Sequence, residues 1–147
     1  MRIRGYWGEF ESPFLQARLI SPSLNVNKRL DFLVDTGASR TVLLDGDARQ
    51  IGVDYARLAK LSNGTVGIGG VVDTYAVHDA QLLFVGDTAL CRIKLDDLLV
   101  LRHRPRNAEE ERRIKRLPSV VGRDVLNRFE VVLNWKKRMI RLGPPTP

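Results

Sequence analysis

Cysteine is nearly absent from this chain. Cys91 is the one thiol in 147 residues, which excludes an intramolecular disulfide framework and a zinc-finger array. Histidine is almost as scarce, and His78 and His103 are too few for a His-rich metal site. No apolar run approaches the roughly 18 residues of a membrane-spanning helix. The opening MRIRGYWGEF lacks the apolar core of a secretory signal. A cytoplasmic protein with no membrane partner is expected. Aromatic residues make up 7% of the chain, and none interleaves the arginines of its most basic stretch, so that stretch lacks stacking surfaces for bases.

What is present is ordinary globular material. Hydrophobic residues at 44% and charged residues at 28% can build a core and a solvated surface, which argues against disorder. A chain of 147 residues suits one domain and buries about 70% of the surface it exposes when unfolded. The formal net charge is +7, of which the stretch 102–116, RHRPRNAEEERRIKR, supplies +4 from seven basic and three acidic residues. Such a stretch can bind nucleic acid or acidic partners. It also reads as a solvated loop or exposed helical turn with Glu and Arg side by side, which is the reading preferred here.

The patterning is mostly that of strands. Residues 14–20 alternate moderately, a turn-rich SPSLNVNK follows, and the apolar run 30–34 is rich in strand formers. The two segments are expected to pair as a hairpin that leads straight into Asp35. Residues 45–61 suit short helices, with Asp45 and Asp54 as N-terminal acids. Residues 63–70 hold four glycines in eight positions and read as a hairpin tip. Further strands are expected over 77–85 and 89–101, a short helix over 123–129, and a last hairpin from 130–133 and 139–142 around Trp135-Lys136-Lys137. The tail GPPTP is expected to fray. Trp7 and Trp135 read as core or interface anchors, Cys91 as a small buried apolar residue and His78 as structural. No internal repeat or linker is visible. The fold class is mainly β, a single barrel-like domain with one or two short helices.

The most informative residues are Asp35-Thr36-Gly37-Ala38-Ser39, directly after the apolar LDFLV. An acid at the end of a buried strand is costly unless it has a partner or a task. Gly37 permits a sharp turn and close approach of another backbone, and the Thr36 hydroxyl can orient its surroundings. An Asp-Thr-Gly on its own is also compatible with an ordinary strand-end turn. Two other segments accompany it: the glycine hairpin Val66-Gly67-Ile68-Gly69-Gly70-Val71, and Val120-Val121-Gly122-Arg123-Asp124-Val125-Leu126, a second strand-to-helix turn.

Together, in this order, the three segments resemble the retroviral-type aspartic proteases (retropepsins). The closing NRFEVVLNWKKRMIRLG is similar to the C-terminal hairpin of the cellular branch of that family. The resemblance spans about residues 14–143, with 102–117 as a charged insertion. It implies that Asp35 is the catalytic aspartate, that Thr36 locks two active-site loops across a dimer, and that Gly37 offers its carbonyl to the substrate backbone. Ala38 and Ser39 would border the substrate, and Gly67, Ile68, Gly69 and Gly70 would form a flap over it. Gly122, Arg123 and Asp124 would brace the catalytic loop. Viral members often carry an acid where Ser39 and Arg40 stand here, so the partner of Arg123 is open: Asp124 or a backbone carbonyl. Viral N- and C-terminal dimer strands are not evident, and the 130–142 hairpin is an alternative interface.

The implied chemistry needs two carboxylates that share a proton, one acting as base toward water and the other as acid toward the scissile carbonyl. One Asp-Thr-Gly per chain then implies a twofold dimer, a polypeptide substrate and neither metal nor organic cofactor. Asp31, Asp54, Asp73, Asp96 and Asp97 lack the Thr-Gly context. Rival readings are a protease-fold dimerisation or adaptor module with little activity, and a nucleic-acid binder resting on the +7 charge. A serine hydrolase built on Ser39 lacks the second glycine of G-x-S-x-G. A dinucleotide site at Gly67-Ile68-Gly69 would need glycine where Val72 stands.

Overall fold

The computed structural model describes residues 1–67 and 70–145. The chain begins with two short strands, β1 (Ile3–Arg4) and β2 (Tyr6–Trp7), then a 3-10 turn over Glu9–Glu11. Strands β3 (Pro13–Ser21) and β4 (Val26–Val34) form the long hairpin expected from the pattern, in register from Phe14↔Leu33 to Ser21↔Val26. Alternation sets its buried face: Leu15, Ala17 and Leu19 on β3 and Leu30, Phe32 and Val34 on β4 point to the core. The turn is shorter than SPSLNVNK suggests. Asn25 takes the left-handed backbone (φ 53°), and β4 starts at Val26 rather than Leu30. Asp79 fastens that turn from outside by accepting from the Ser23 amide at 2.7 Å and the Ser21 hydroxyl at 2.7 Å.

After residues 35–41 come β5 (Val42–Leu43), helix α1 (Asp45–Gln50) and a 3-10 turn over Tyr55–Arg57, capped by Asp54 through the Ala56 amide at 3.0 Å. Strands β6 (Ala59–Gly67) and β7 (Gly70–Val77) make the glycine hairpin. Next are β8 (Gln81–Val85), β9 (Leu90–Lys94), β10 (Leu98–His103), helix α2 (Ala108–Lys115), β11 (Ser119–Val121), helix α3 (Arg123–Leu126), β12 (Phe129–Asn134) and β13 (Met139–Pro145).

Most strands join one sheet in the order β6-β7-β10-β5-β11-β4-β3-β8-β9, with β2 also paired to β3. A smaller sheet, β1-β13-β12, brings the two ends of the chain together. One crossover positions the site. β11 slots between β4 and β5, parallel to β4 (Val121↔Val34) and antiparallel to β5 (Val120↔Val42). The chain that leaves β4 at Val34 must therefore loop over the end of β11 before it re-enters the sheet. The core between the layers is apolar, with Leu15, Leu19, Phe32, Leu82, Phe84 and Leu142 fully buried.

Several sequence expectations are corrected. Three α-helices form among the described residues rather than one or two, because 108–115 is a true helix. Asn107 accepts from the Glu110 amide at 2.8 Å, three glutamates occupy the first turn and Arg112, Arg113 and Lys115 the last, which suits the helix dipole. Ile114 supplies its buried contact. The expected strand 77–85 breaks at residues 78–80, and 89–101 breaks at 95–97, where the Leu95 amide donates to the Ala80 carbonyl at 3.0 Å. Helix α3 ends at Leu126. Gly143, Pro144 and Pro145 continue β13 rather than fray, while Thr146 and Pro147 lie outside the described residues. In the terminal hairpin, Ile140 and Leu142 face the core, so Leu133 and Trp135 are its exposed large apolar residues.

Candidate active site

Residues 35–41 hang from β4 and are fastened to the segment that follows β11. The Asp35 amide donates to the Val121 carbonyl at 3.1 Å, extending the strand pairing by one residue. The chain then turns, with the Ala38 amide on the Asp35 carbonyl at 3.2 Å. The Asp35 carboxylate is half-buried, and its Oδ1 accepts from the Gly37 amide at 2.8 Å. A Cβ at residue 37 would stand 3.1 Å from that same oxygen, so glycine keeps the carboxylate unobstructed. Thr36, Gly37 and Ser39 are exposed and Ala38 is half-buried.

The brace is dense. Gly122 is buried, and its amide donates to Thr41 Oγ1 at 3.2 Å. The Arg123 amide donates to the Ala38 carbonyl at 2.8 Å. Asp124 takes both the Thr41 amide (3.0 Å) and the Thr41 hydroxyl (2.8 Å). The open question about Arg123 is resolved: its Nη1 donates to the Thr36 carbonyl at 2.9 Å. The arginine thus grips the 35–41 loop through backbone, with no acid at position 39 or 40. Arg40 instead pairs with Asp97 at 3.5 Å, and Asp97 also meets His78 Nδ1 at 2.6 Å. Thr41 was not singled out in the sequence. A threonine two residues past a DTGAS motif carries no signal until Asp124 is seen beside it.

The glycine hairpin β6–β7 is described except for Ile68 and Gly69, two of the expected flap residues, which lie outside the described residues. Gly67 and Gly70 are paired in register, and Gly70 has a left-handed φ of 123°. The charged insertion stands against this hairpin. The Arg104 amide donates to the Val71 carbonyl at 3.0 Å, and its guanidinium holds Asp73 through Nη2 (2.6 Å) and Nε (3.1 Å). Asp73 also accepts from the Gly64 amide at 2.8 Å, so one buried carboxylate ties both hairpin strands to the insertion.

Arg104 holds the Asp73 carboxyl below the usual carboxylate range; burial pushes the other way and the Gly64 amide lowers it further. A depressed folded value contributes stability above the unfolded value near 3.9 and loses it as pH falls through the folded one. Asp73→Asn is therefore expected to cost about 1–2 kcal/mol near neutrality, a modest figure because Arg104 is half-exposed. Thermal melts across pH should show the gap to wild type closing below about pH 4. A gap that stays constant down to about pH 2 would show that the charge of Asp73 is not what holds the hairpin.

Among the described residues no group of three or more His, Cys, Asp or Glu side chains is placed to hold a metal ion, and no helix is long and apolar enough to cross a membrane. Cys91 is buried, and burial pushes its thiol up, away from reactivity.

Comparison with known proteins gives the family of the chain. An aspartyl protease family model matches residues 20–107, more than half of the chain, and the chain belongs to that family. Its fold is retropepsin-like, as the three motifs imply. The crystal structure of a retropepsin-like aspartic protease from Rickettsia conorii superposes with a TM-score of 0.59 at 18% identity, covering 98% of this chain and 91% of that one. An EIAV protease bound to the inhibitor HBY-793 matches at 18% identity over 82% of this chain and 90% of that one, with a TM-score of 0.45. No curated protein matches the chain in sequence.

Proposed function

We propose that this protein is an aspartic endopeptidase whose catalytic pair is Asp35 from each of two copies. The observation that carries this reading is the setting of Asp35. It is a half-buried carboxylate on a braced loop, beside exposed Thr36 and Gly37, and among the described residues its hydrogen-bond partner is a backbone amide rather than a second acid. The other acids considered are otherwise engaged or placed. Asp31 accepts from Gln16, Asp54 caps a turn, Asp73 holds Arg104, Asp97 pairs with His78 and Asp96 is exposed.

Two loops meeting on a twofold axis would bring the two carboxylates together, with each Thr36 hydroxyl bonding across the axis. One carboxylate then takes a proton from water as the oxygen attacks the scissile carbonyl, and the other gives its proton to the carbonyl oxygen. Collapse of the tetrahedral species expels the amine, which takes a proton from the pair. The Gly37 carbonyl would hold substrate backbone, and the β6–β7 hairpin would cover it, with Leu61 and Val71 as exposed apolar contacts on described residues. Of the terminal hairpin, Leu133 on the edge strand β12 remains available to the interface. The test is whether proteolysis and self-association rise and fall together as the protein is diluted.

A further inference from the structure

The outer face of the terminal sheet carries a cationic concavity that has no part in the proposed mechanism. In β1 and β13 the residues Ile3, Ile140 and Leu142 are buried, so the alternate residues Arg2, Arg4 and Arg141 point outward. Register sets Arg4 directly opposite Arg141. Like charges directly opposed across antiparallel strands destabilise the pair, so nothing in folding favours this placement. Lys137 and Arg138, from the β12–β13 turn, close one end. The five cations line a hollow of about 440 Å³. Three acids reach it: Glu11 lies 3.7 Å from Arg138 and Glu130 lies 3.8 Å from Arg141, each from an exposed side chain, and Asp87 accepts from the Arg2 backbone amide at 2.7 Å, which leaves the Arg2 guanidinium without a hydrogen-bonded acid among the described residues. The Arg141 Nε is buried and has no hydrogen-bond partner among the described residues.

Two exposed aromatic residues accompany it: Trp135 touches the lining residue Arg138, and Phe10 directly precedes Glu11, which pairs with Arg138. Phe10 is 90% exposed and sits on left-handed backbone (φ 54°), followed by Glu11 at φ 60°. Two consecutive non-glycine residues in that region are strained, and the strain serves no burial. The turn is held by the Gly8 amide on the Ser12 carbonyl (2.8 Å), and the Glu11–Arg138 contact places it beside the hollow. The Trp135 ring, 44% exposed, lies under the Arg138 guanidinium at 4.1 Å.

We propose that this face binds single-stranded nucleic acid, with phosphates along Arg2, Arg4, Arg141 and Lys137 and a base stacked on Phe10. A cationic groove flanked by exposed rings is the combination such strands require. The hollow is concave, which suits a strand better than a flat bilayer, and Glu9 and Glu11 beside Phe10 oppose its insertion among anionic headgroups. An acidic polypeptide would use the cations but leave the strained Phe10 without a role. The basic stretch 102–116 is a poorer candidate, because four of its seven cations are engaged: Arg104, Arg106 and Lys115 are paired with acids and Arg102 lies over Tyr55.

The test is fluorescence anisotropy of a labelled oligothymidylate with the full chain over a salt series. Four phosphate contacts predict a log–log salt slope near about −3, at roughly 0.7 per phosphate. Arg4→Glu removes one contact and adds a repulsion, and should weaken binding at least about tenfold. Phe10→Ser should weaken it about fivefold or more and leave the slope unchanged. Lys137→Glu, on the exposed turn, provides a second charge variant should Arg4→Glu fold poorly. Binding unmoved by these substitutions, a flat salt response, or equal competition by polyglutamate or phosphatidylserine vesicles would each overturn the proposal.

Discussion

Asp35→Asn should abolish peptide cleavage while leaving the fold in place. The amide keeps an oxygen where Asp35 Oδ1 accepts from the Gly37 amide at 2.8 Å, so the loop retains its internal bond. What it loses is the ability to take a proton from water. General acid–base catalysis supplies about 10²–10⁴-fold, and a pair that shares one proton loses both roles when one member becomes an amide. The expected result is a fall of at least about a hundredfold in turnover of a casein or peptide substrate, with an unchanged far-ultraviolet circular dichroism spectrum. Retention of more than about a tenth of wild-type turnover would remove Asp35 from the mechanism.

Gly122→Ala is expected to have the largest effect on stability. A Cβ at residue 122 would stand 2.5 Å from the Arg40 carbonyl oxygen, 2.6 Å from the Arg40 carbonyl carbon and 2.9 Å from the Ala38 carbonyl oxygen. All three are backbone atoms of the 35–41 loop, so no side chain can swing aside. Nor can the loops part cheaply, because the Arg123 amide bonds to Ala38 at 2.8 Å and Asp124 clamps Thr41. Overpacking of this kind costs on the order of 3 kcal/mol when the neighbours cannot yield. Urea unfolding should show that loss, together with loss of cleavage at temperatures where the variant is still folded. Wild-type stability in the alanine variant would mean that the two loops are not packed as described.

These two sites show which features were legible in the sequence. LDFLV-DTG announces itself because an acid follows a buried strand, and VVG-RD repeats that strand-to-turn pattern. The β3–β4 hairpin follows from alternation. Other features depend on contacts distant in sequence. Arg123 finds the Thr36 carbonyl 87 positions away, and Asp124 finds Thr41 at a separation of 83. Asp73 looked like any strand acid until Arg104 was placed against it. Helix α2 was obscured because seven basic and three acidic residues in 102–116 read equally as a solvated loop, and its buried contact rests largely on Ile114. The 130–142 hairpin reads as an interface in sequence, yet its Ile140 and Leu142 are buried, because β1 pairs with β13 and completes a sheet over the core, and a strand of two residues, Ile3–Arg4, carries no pattern to announce it.

The central claim, that one chain supplies half of a catalytic pair, is tested most directly by sedimentation velocity and specific activity measured over the same protein concentrations. Activity per chain is expected to be constant while dimers persist and to fall in step with the dimer fraction as they dissociate, because a separated chain retains one Asp35. Full activity from a chain shown by sedimentation to be monomeric would contradict it, and would place the second carboxylate within the chain itself.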